Sequence, residues 1–188
     1  LREFPLAADL GARNGAFGGA LAGSDAKVGA LIEADLSAAM LAGRPGLRVQ
    51  ADEERLPFAA GSLDLIVSSL SLHAVDDLPG VLSQARVALK PDGLFLAALF
   101  GGATLWELRA TLIDAETEIR GGAGPRVSPL LDPGDGPRLL QRAGFALPVS
   151  DVDRVTVGYA HPLALLQDLR RMGETSILVE RARTPLSR

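Results

Sequence analysis

The sequence predicts an α/β protein whose mostly parallel sheet is covered by helices on both faces. The main observation is a succession of strand, helix and strand over residues 51–100, which is the pattern of a βαβ unit. Its two apolar runs, 63–70 and 94–100, do not alternate with polar residues. Because such runs are typical of strands buried on both faces, this unit predicts the centre of the sheet. A glycine-punctuated loop after the first apolar run of the chain agrees with that fold class.

Shorter signals predict the remaining elements. The first three strands are expected over residues 6–10, 29–34 and 47–51, and an edge-like sixth strand is expected over 152–159. Helices are expected over 16–21, 38–41 with Ser37 as its cap, 76–89, 104–120, 135–144 and 163–172. A turn is expected at 90–93, a long loop over 121–136 and a frayed polar tail over 180–188. The expected sheet order is 3-2-1-4-5-6, with no run after Met172 long enough for a seventh strand.

Composition argues against several classes of protein. A chain of 188 residues, 47% hydrophobic and without a long apolar run, suits a single domain with no membrane span. The net charge of −4 comes without a basic block, so nucleic acid is not the expected partner. With no cysteine and two distant histidines, neither a metal centre nor a thiol nucleophile is expected. The start lacks the pattern of a signal peptide, so the cytoplasm is the expected location.

The candidate site lies at the carboxyl ends of the strands, where open α/β sheets bind ligands. The loop from Gly11 to Gly15 can offer backbone N–H groups, or be a simple tight turn. Asp35 ends strand two, 24 residues after Gly11, and can accept from both hydroxyls of a ribose or start the next helix. Asp52 ends strand three, with Glu53 after it. Its carboxylate could accept from an adenine amino group, or belong to a solvated acidic loop.

Other polar side chains are weaker candidates. His73 follows strand four and could act as a base or contact a substrate, but a histidine packed at the end of a strand is the favoured interpretation. Trp106 could close a pocket or belong to the core. Glu107, Glu116 and Glu118 could hold a cationic substrate or form a solvated helix face, and their spacing does not decide between these alternatives.

Five motifs resemble, in order and spacing, those of class I S-adenosylmethionine-dependent methyltransferases. They are Asp9-Leu10-Gly11, Asp35-Leu36-Ser37 and the runs 51–58, 63–69 and 89–93. Further runs resemble one branch of that superfamily, at 68–73, 100–109, 115–118, 142–145 and 172–174. This branch contains the mitochondrial complex I assembly methyltransferase-like protein and its bacterial relatives. The malonyl-carrier-protein O-methyltransferase of biotin synthesis is a neighbouring branch.

The resemblance implies a Rossmann-like three-layer sandwich of strand order 3-2-1-4-5-(7)-6, with S-adenosylmethionine as the cofactor. Over residues 1–188 we expect one domain that lacks strand seven and the N-terminal helix that covers the cofactor. The resemblance also implies the binding residues: Gly11, Gly15 and Ser69 on the methionine side, Asp35 with Leu36 beside it at the ribose, and Asp52 with the Glu53 backbone at the adenine.

One departure from the family concerns the loop. Arg13 stands where the superfamily usually has the middle glycine of Asp-x-Gly-x-Gly-x-Gly. Its side chain could restrict the backbone and block close approach to the cofactor, or meet the cofactor carboxylate.

The leading hypothesis for function is methyl transfer to an unidentified small-molecule or protein acceptor. The branch implies two alternatives on the same fold. The first is protein-arginine hydroxylation, with Glu107, Glu116 and Glu118 as candidate holders of the guanidinium. The second is a non-catalytic assembly role, which Arg13 favours.

Overall fold

The computed structural model describes residues 2–124 and 126–178, so the predicted tail over 180–188 lies outside the described residues. The chain divides into two compact units. The first comprises the residues up to Phe100 together with Gly134–Ser150, and the second comprises Gly101–Pro133 with the described residues from Asp151 onward. The expectation of one domain stays a prediction.

The helices and strands follow the predicted order closely up to residue 100. The strands are β1 (Glu3–Leu10), β2 (Lys27–Asp35), β3 (Leu47–Gln50), β4 (Leu63–Ser69) and β5 (Leu89–Ala98). The helices are α1 (Ala16–Ala22), α2 (Ala38–Leu41), α3 (Leu78–Ala88), α4 (Trp106–Arg120), α5 (Gly136–Arg142) and α6 (Pro162–Met172).

Within the described residues, the five strands of the first unit form one parallel sheet in the order β3-β2-β1-β4-β5. Leu10 pairs with Ala34 on one side and with Ser68 on the other. The loops after β1, β2 and β4 therefore leave the sheet at the same level. The order reverses between β1 and β4, which is where open α/β sheets bind ligands.

The first unit has a hydrophobic core on each face of its sheet. On one face, Leu10 and Ile66 are fully buried against Ala85 of α3. On the other face, Val67 packs near Phe17 of α1. Full burial of a side chain the size of leucine or isoleucine contributes about 1.5–3 kcal/mol, so these contacts fix the position of β1 and β4. The expectation of coverage on both faces is confirmed for β4 but not for β5, which is the last strand of the described sheet and leaves Leu96 49% exposed.

The turn predicted at 90–93 lies inside a strand, because β5 begins at Leu89. Asp92 has a φ of 59°, and the pairing of β4 with β5 shifts register at this point, so the residues form an irregularity within the ladder. Lys90 donates to both carboxylate oxygens of Asp64 at 2.9 Å and holds the irregular stretch against β4. In the register of β4 with β5, residues 90–93 have no partner, so the predicted break is an unpaired stretch between Leu89 and Leu94.

The predicted sixth strand is wrong, because residues 151–159 form neither helix nor strand. The prediction relied on Val152, Val155 and Val157, whose side chains are 59%, 76% and 60% exposed. In a strand, residues separated by an odd number point to opposite faces. Val155, Val157 and Tyr159 would share one face of a strand, but the two valines stay largely exposed, so no such face is buried here.

The second unit contains α4 and α6. Glu116 is the buried residue of α4, and it accepts hydrogen bonds from Arg126 and from the Gly124 N–H. These contacts tie the loop that follows the helix back onto it. Across 2–124 and 126–178, no helix combines the length and the apolar composition needed to cross a membrane.

Candidate functional site

The loop after β1 needs glycine at two positions. Gly11 and Gly15 have φ values of 65° and 77°, in the left-handed region that glycine tolerates best. A Cβ on Gly11 would lie 2.0 Å from Ser71 Oγ, so no larger residue fits without moving Ser71. The Gly15 N–H donates to the Ala12 carbonyl at 2.7 Å and closes a tight turn directly before α1.

Arg13 adopts the left-handed conformation that the missing glycine would allow, with φ 45°. Its N–H donates to Asp35 Oδ2 at 2.7 Å, and its carbonyl accepts from Arg44 Nη1 at 2.5 Å. Both contacts use backbone atoms, so they do not depend on the Arg13 side chain. A side chain at this position therefore does not prevent the turn. The left-handed conformation of Arg13 costs about 1–2 kcal/mol.

Replacement of Arg13 by glycine should change the free energy of unfolding by no more than about 1 kcal/mol, because relief of the left-handed strain is offset by the entropy of glycine. Urea unfolding of Arg13→Gly and the wild type measures this difference. A loss of stability well above that value would show that the side chain, and not the backbone, maintains the loop.

Asp35 connects the loops that follow three strands. It is 7% exposed, and its Oδ1 accepts from the Ser37 N–H at 2.8 Å while Oδ2 accepts from Arg13. Its backbone carbonyl accepts from the Ala51 N–H, after β3, at 3.1 Å. Each carboxylate oxygen has a further lone pair, so these structural contacts leave capacity for a ligand hydroxyl. The predicted capping by Ser37 is wrong in one respect, since its hydroxyl makes no capping hydrogen bond.

The loop after β3 also reaches the glycine loop. Glu53 Oε1 accepts from the Ser71 hydroxyl at 2.6 Å and lies 2.8 Å from the point where a Cβ on Gly11 would stand. The structure therefore brings Gly11, Glu53 and Ser71 together, although Ser71 was not predicted as a site residue. Asp52 Oδ1 accepts from the Glu54 N–H at 2.9 Å, so its carboxylate shapes its own loop.

The other predicted residues also lie at or after the carboxyl ends of the strands. Ser69 is the exposed last residue of β4, and Leu36 follows β2 with 60% of its surface exposed. The His73 ring packs edge-on against Phe100, with 4.7 Å between centroids. This contact supports the interpretation of His73 as a packed histidine at the end of a strand.

A buried charged cluster adjoins the glycine loop, and the sequence did not single it out. Asp9 and Glu33 are paired residues of β1 and β2, only 1% and 9% exposed, and Arg44 forms an ion pair with Glu33. Burial, together with the nearby Glu33 and Asp35, raises the pKa of Asp9 to about 7, and Arg44 opposes this rise. The Asp9 carboxylate oxygens have no hydrogen-bond partner among the described residues. The sequence signal that could have identified this cluster is the presence of an acidic residue in each of two otherwise apolar strands.

The acids of α4 belong to the second unit and differ in their surroundings. Glu116 is 4% exposed and accepts from Arg126 Nε at 2.7 Å and Arg120 Nη1 at 3.3 Å. The hydrogen bond from Arg126 lowers the pKa of Glu116, as does that from the backbone of the following loop. Glu107 and Glu118 are exposed, and Trp106 is 62% exposed rather than part of a core.

Comparisons with known proteins support the resemblance drawn from the motifs. Residues 8–97 match the family model described as a methyltransferase domain. The arginine-hydroxylase NDUFAF5, mitochondrial, of Homo sapiens is 44% identical over 180 residues, which cover 93% of this chain and 52% of that protein. The malonyl-[acyl-carrier protein] O-methyltransferase of Xylella fastidiosa is 39% identical over 136 residues, covering 72% and 44%. The chain spans about half the length of these two curated relatives.

A solved structure gives the same result for the fold. The trans-methyltransferase CalH, in complex with SAH, aligns with a TM-score of 0.55 and 21% identity, covering 76% of this chain and 45% of that one. The matched residues 8–97 include almost all of the parallel sheet and every loop of the candidate site. Over residues 8–97 the chain therefore carries a methyltransferase domain, with the fold of the class I S-adenosylmethionine-dependent methyltransferases.

Proposed function

We propose that this protein binds S-adenosylmethionine and transfers its methyl group to an acceptor. The observation that carries the proposal is the hydrogen bond of 2.7 Å from the Arg13 N–H to Asp35 Oδ2. This hydrogen bond joins the glycine loop to a buried carboxylate. Both lie at the carboxyl ends of the strands, close to the point where the strand order reverses. A glycine loop and an acid after neighbouring strands are the arrangement that holds a nucleoside in folds of this class.

The residues present suit the cofactor in charge. The cofactor carries a sulfonium and an ammonium group, and the site offers buried carboxyl groups, including Asp9 with its two unpartnered oxygens within the described part of the chain. Gly11 and Gly15 have no side chain of their own, which lets Ser71 and Arg44 approach the loop backbone closely. The proposed contacts are Gly11, Gly15 and Ser69 at the methionine part, Asp35 with Leu36 at the ribose, and Asp52 with the Glu53 backbone at the adenine.

Catalysis in this proposal is mainly a matter of position. The bound cofactor supplies a methyl carbon that the sulfonium already makes electrophilic. The chain holds the cofactor so that an acceptor can approach in line, and alignment of this kind lowers the barrier without an acid or a base. A base is needed only for an acceptor that must lose a proton, and His73 stays a weak candidate for it because its ring is packed against Phe100.

Arginine hydroxylation is the second candidate, favoured by 44% identity to a relative that bears the name arginine-hydroxylase. In this alternative an acid of α4 would hold the substrate guanidinium. Glu116 already accepts from Arg126 and Arg120 of its own chain, so it is engaged. The non-catalytic role stays an alternative, although Arg13, the residue that favours it, does adopt the left-handed turn.

Titration of the purified protein with S-adenosylmethionine in a calorimeter tests the proposal. We expect heat and a single binding site, and the absence of both at millimolar cofactor would remove the proposed function. Mass analysis of a candidate acceptor then separates the two reactions. Methyl transfer adds about 14 Da to the acceptor, and hydroxylation adds about 16 Da.

Replacement of Asp35 by alanine should weaken cofactor binding by about tenfold to a hundredfold, the range expected for loss of a hydrogen bond to a charged group. Asp25→Ala is the matched control, because it removes the same charge from an exposed loop before β2. Calorimetry with S-adenosylmethionine on both variants measures the difference in affinity. Equal affinities in the two variants would place the ribose elsewhere.

The acceptor in this proposal is a small molecule or a protein. A nucleic acid is not expected, since the chain has a net charge of −4 and no basic block. The cytoplasmic location stays a prediction from the sequence.

A further inference from the structure

We infer that Arg44 is the residue that positions the cofactor loop, an inference that rests on the proposed function. Arg44 lies in the short connection between α2 and β3. Its Nη1 donates to the Arg13 carbonyl at 2.5 Å and to the Met40 carbonyl at 3.3 Å, and its Nη2 pairs with the Glu33 carboxylate. One guanidinium thus connects the glycine loop, α2 and β2.

The loop has space for this guanidinium because residue 15 is glycine. A Cβ on Gly15 would lie 2.1 Å from Arg44 Nη2 and 2.5 Å from its Cζ. The planar group therefore occupies the volume that a side chain on Gly15 would fill. Gly15 has two functions here, since it also adopts the positive φ that starts α1.

The ion pair that anchors Arg44 is largely withdrawn from water. The side chains of Arg44 and Glu33 are 17% and 12% exposed. Hydrogen bonds between ionised groups are stronger than neutral ones, and a low local dielectric strengthens them further. Arg44 is consequently a fixed donor to the loop, unlike a surface arginine that samples many positions.

The loop requires such a donor because Arg13 is not a glycine. An L-residue at φ 45° is strained, and the turn persists only where its surroundings hold it. Two contacts hold it here, one at the Arg13 N–H by Asp35 and one at the Arg13 carbonyl by Arg44. Arg44 thereby maintains the orientation of the backbone that the proposed cofactor would meet.

The test compares Arg44→Ala with Arg48→Ala. Arg48 is a matched control in adjacent β3, where its Nη1 donates to the Leu41 carbonyl at 2.9 Å and not to the loop. Calorimetry with S-adenosylmethionine should show a loss of about tenfold or more for Arg44→Ala and little change for Arg48→Ala. Low millimolar guanidinium chloride should restore part of the affinity of Arg44→Ala, whereas the same concentration of sodium chloride should not.

Amide hydrogen exchange gives a readout that needs no cofactor. In Arg44→Ala, the N–H groups of Arg13 and Gly15 should exchange faster, while that of Val67 in β4 should keep its wild-type rate. If the wild type binds no cofactor, the proposed function fails, and faster exchange of these two amides still supports the inference. Wild-type exchange and affinity in Arg44→Ala would overturn it. Should that variant not fold, Arg44→Lys replaces it under the same criteria, because lysine keeps the charge but not the planar fork.

Discussion

Replacement of Asp9 by asparagine should stabilise the protein at pH 8 and have little effect below pH 4. Asp9 is 1% exposed, and burial raises its pKa from 3.8 to about 7, with Glu33 and Asp35 adding to the rise and Arg44 opposing it. Because the folded pKa lies above the unfolded one, the stability gained from the protonated carboxyl is fully present below pH 4. It is lost as the pH rises through 7, when folding must bury a charged group.

The rise of the Asp9 pKa from 3.8 to about 7 corresponds to about 4 kcal/mol, which is the upper limit of the expected advantage of asparagine above pH 7. Urea unfolding of Asp9→Asn and the wild type between pH 4.5 and 8 measures how the difference grows. Asp25→Asn controls for the removal of an exposed carboxylate and should show no such trend. A difference that is independent of pH would contradict the raised pKa of Asp9.

Replacement of Gly11 by alanine should destabilise the first unit by about 2–5 kcal/mol, from overpacking together with left-handed strain. The added Cβ would meet Ser71 Oγ at 2.0 Å and Ser71 Cβ at 2.3 Å, and the latter cannot rotate away. Gly19→Ala is the matched control. No atom within 4 Å would oppose its Cβ, and alanine favours the helix.

The thermal midpoint and the urea midpoint report this effect. Gly19→Ala should raise both slightly, while Gly11→Ala lowers both. Adding Ser71→Gly to Gly11→Ala should recover part of the loss, because it removes the two closest atoms and leaves the strain at φ 65°. Equal midpoints for the two alanine variants would show that the loop moves aside without cost.

Much of the sheet could be predicted because β4, near its centre, is apolar on both faces. The failures have specific causes. Residues 90–93 have the composition of a turn, but they form an unpaired irregularity within β5, which the contact from Lys90 to Asp64 holds against β4. The predicted sixth strand relied on valines whose side chains stay exposed to solvent.

The candidate site could likewise be predicted only in part. Topology alone places Gly11, Asp35 and Glu53 at one edge, because they follow neighbouring parallel strands. The charged cluster required the register, since only the pairing of β1 with β2 shows that Asp9 and Glu33 are opposite each other. The contact of Arg44 with the Arg13 carbonyl depends on the direction of a long side chain, which no sequence pattern specifies.

The central place of β1 in the sheet has a consequence for how the chain folds during synthesis. The Ser68 hydroxyl donates to the Leu10 carbonyl across a separation of 58 residues, and these residues are also paired in the ladder between β1 and β4. One side of β1 therefore has no partner strand until the ribosome has translated β4. Non-local pairing of this kind slows folding and leaves an apolar edge open to chaperones or to aggregation in the interval.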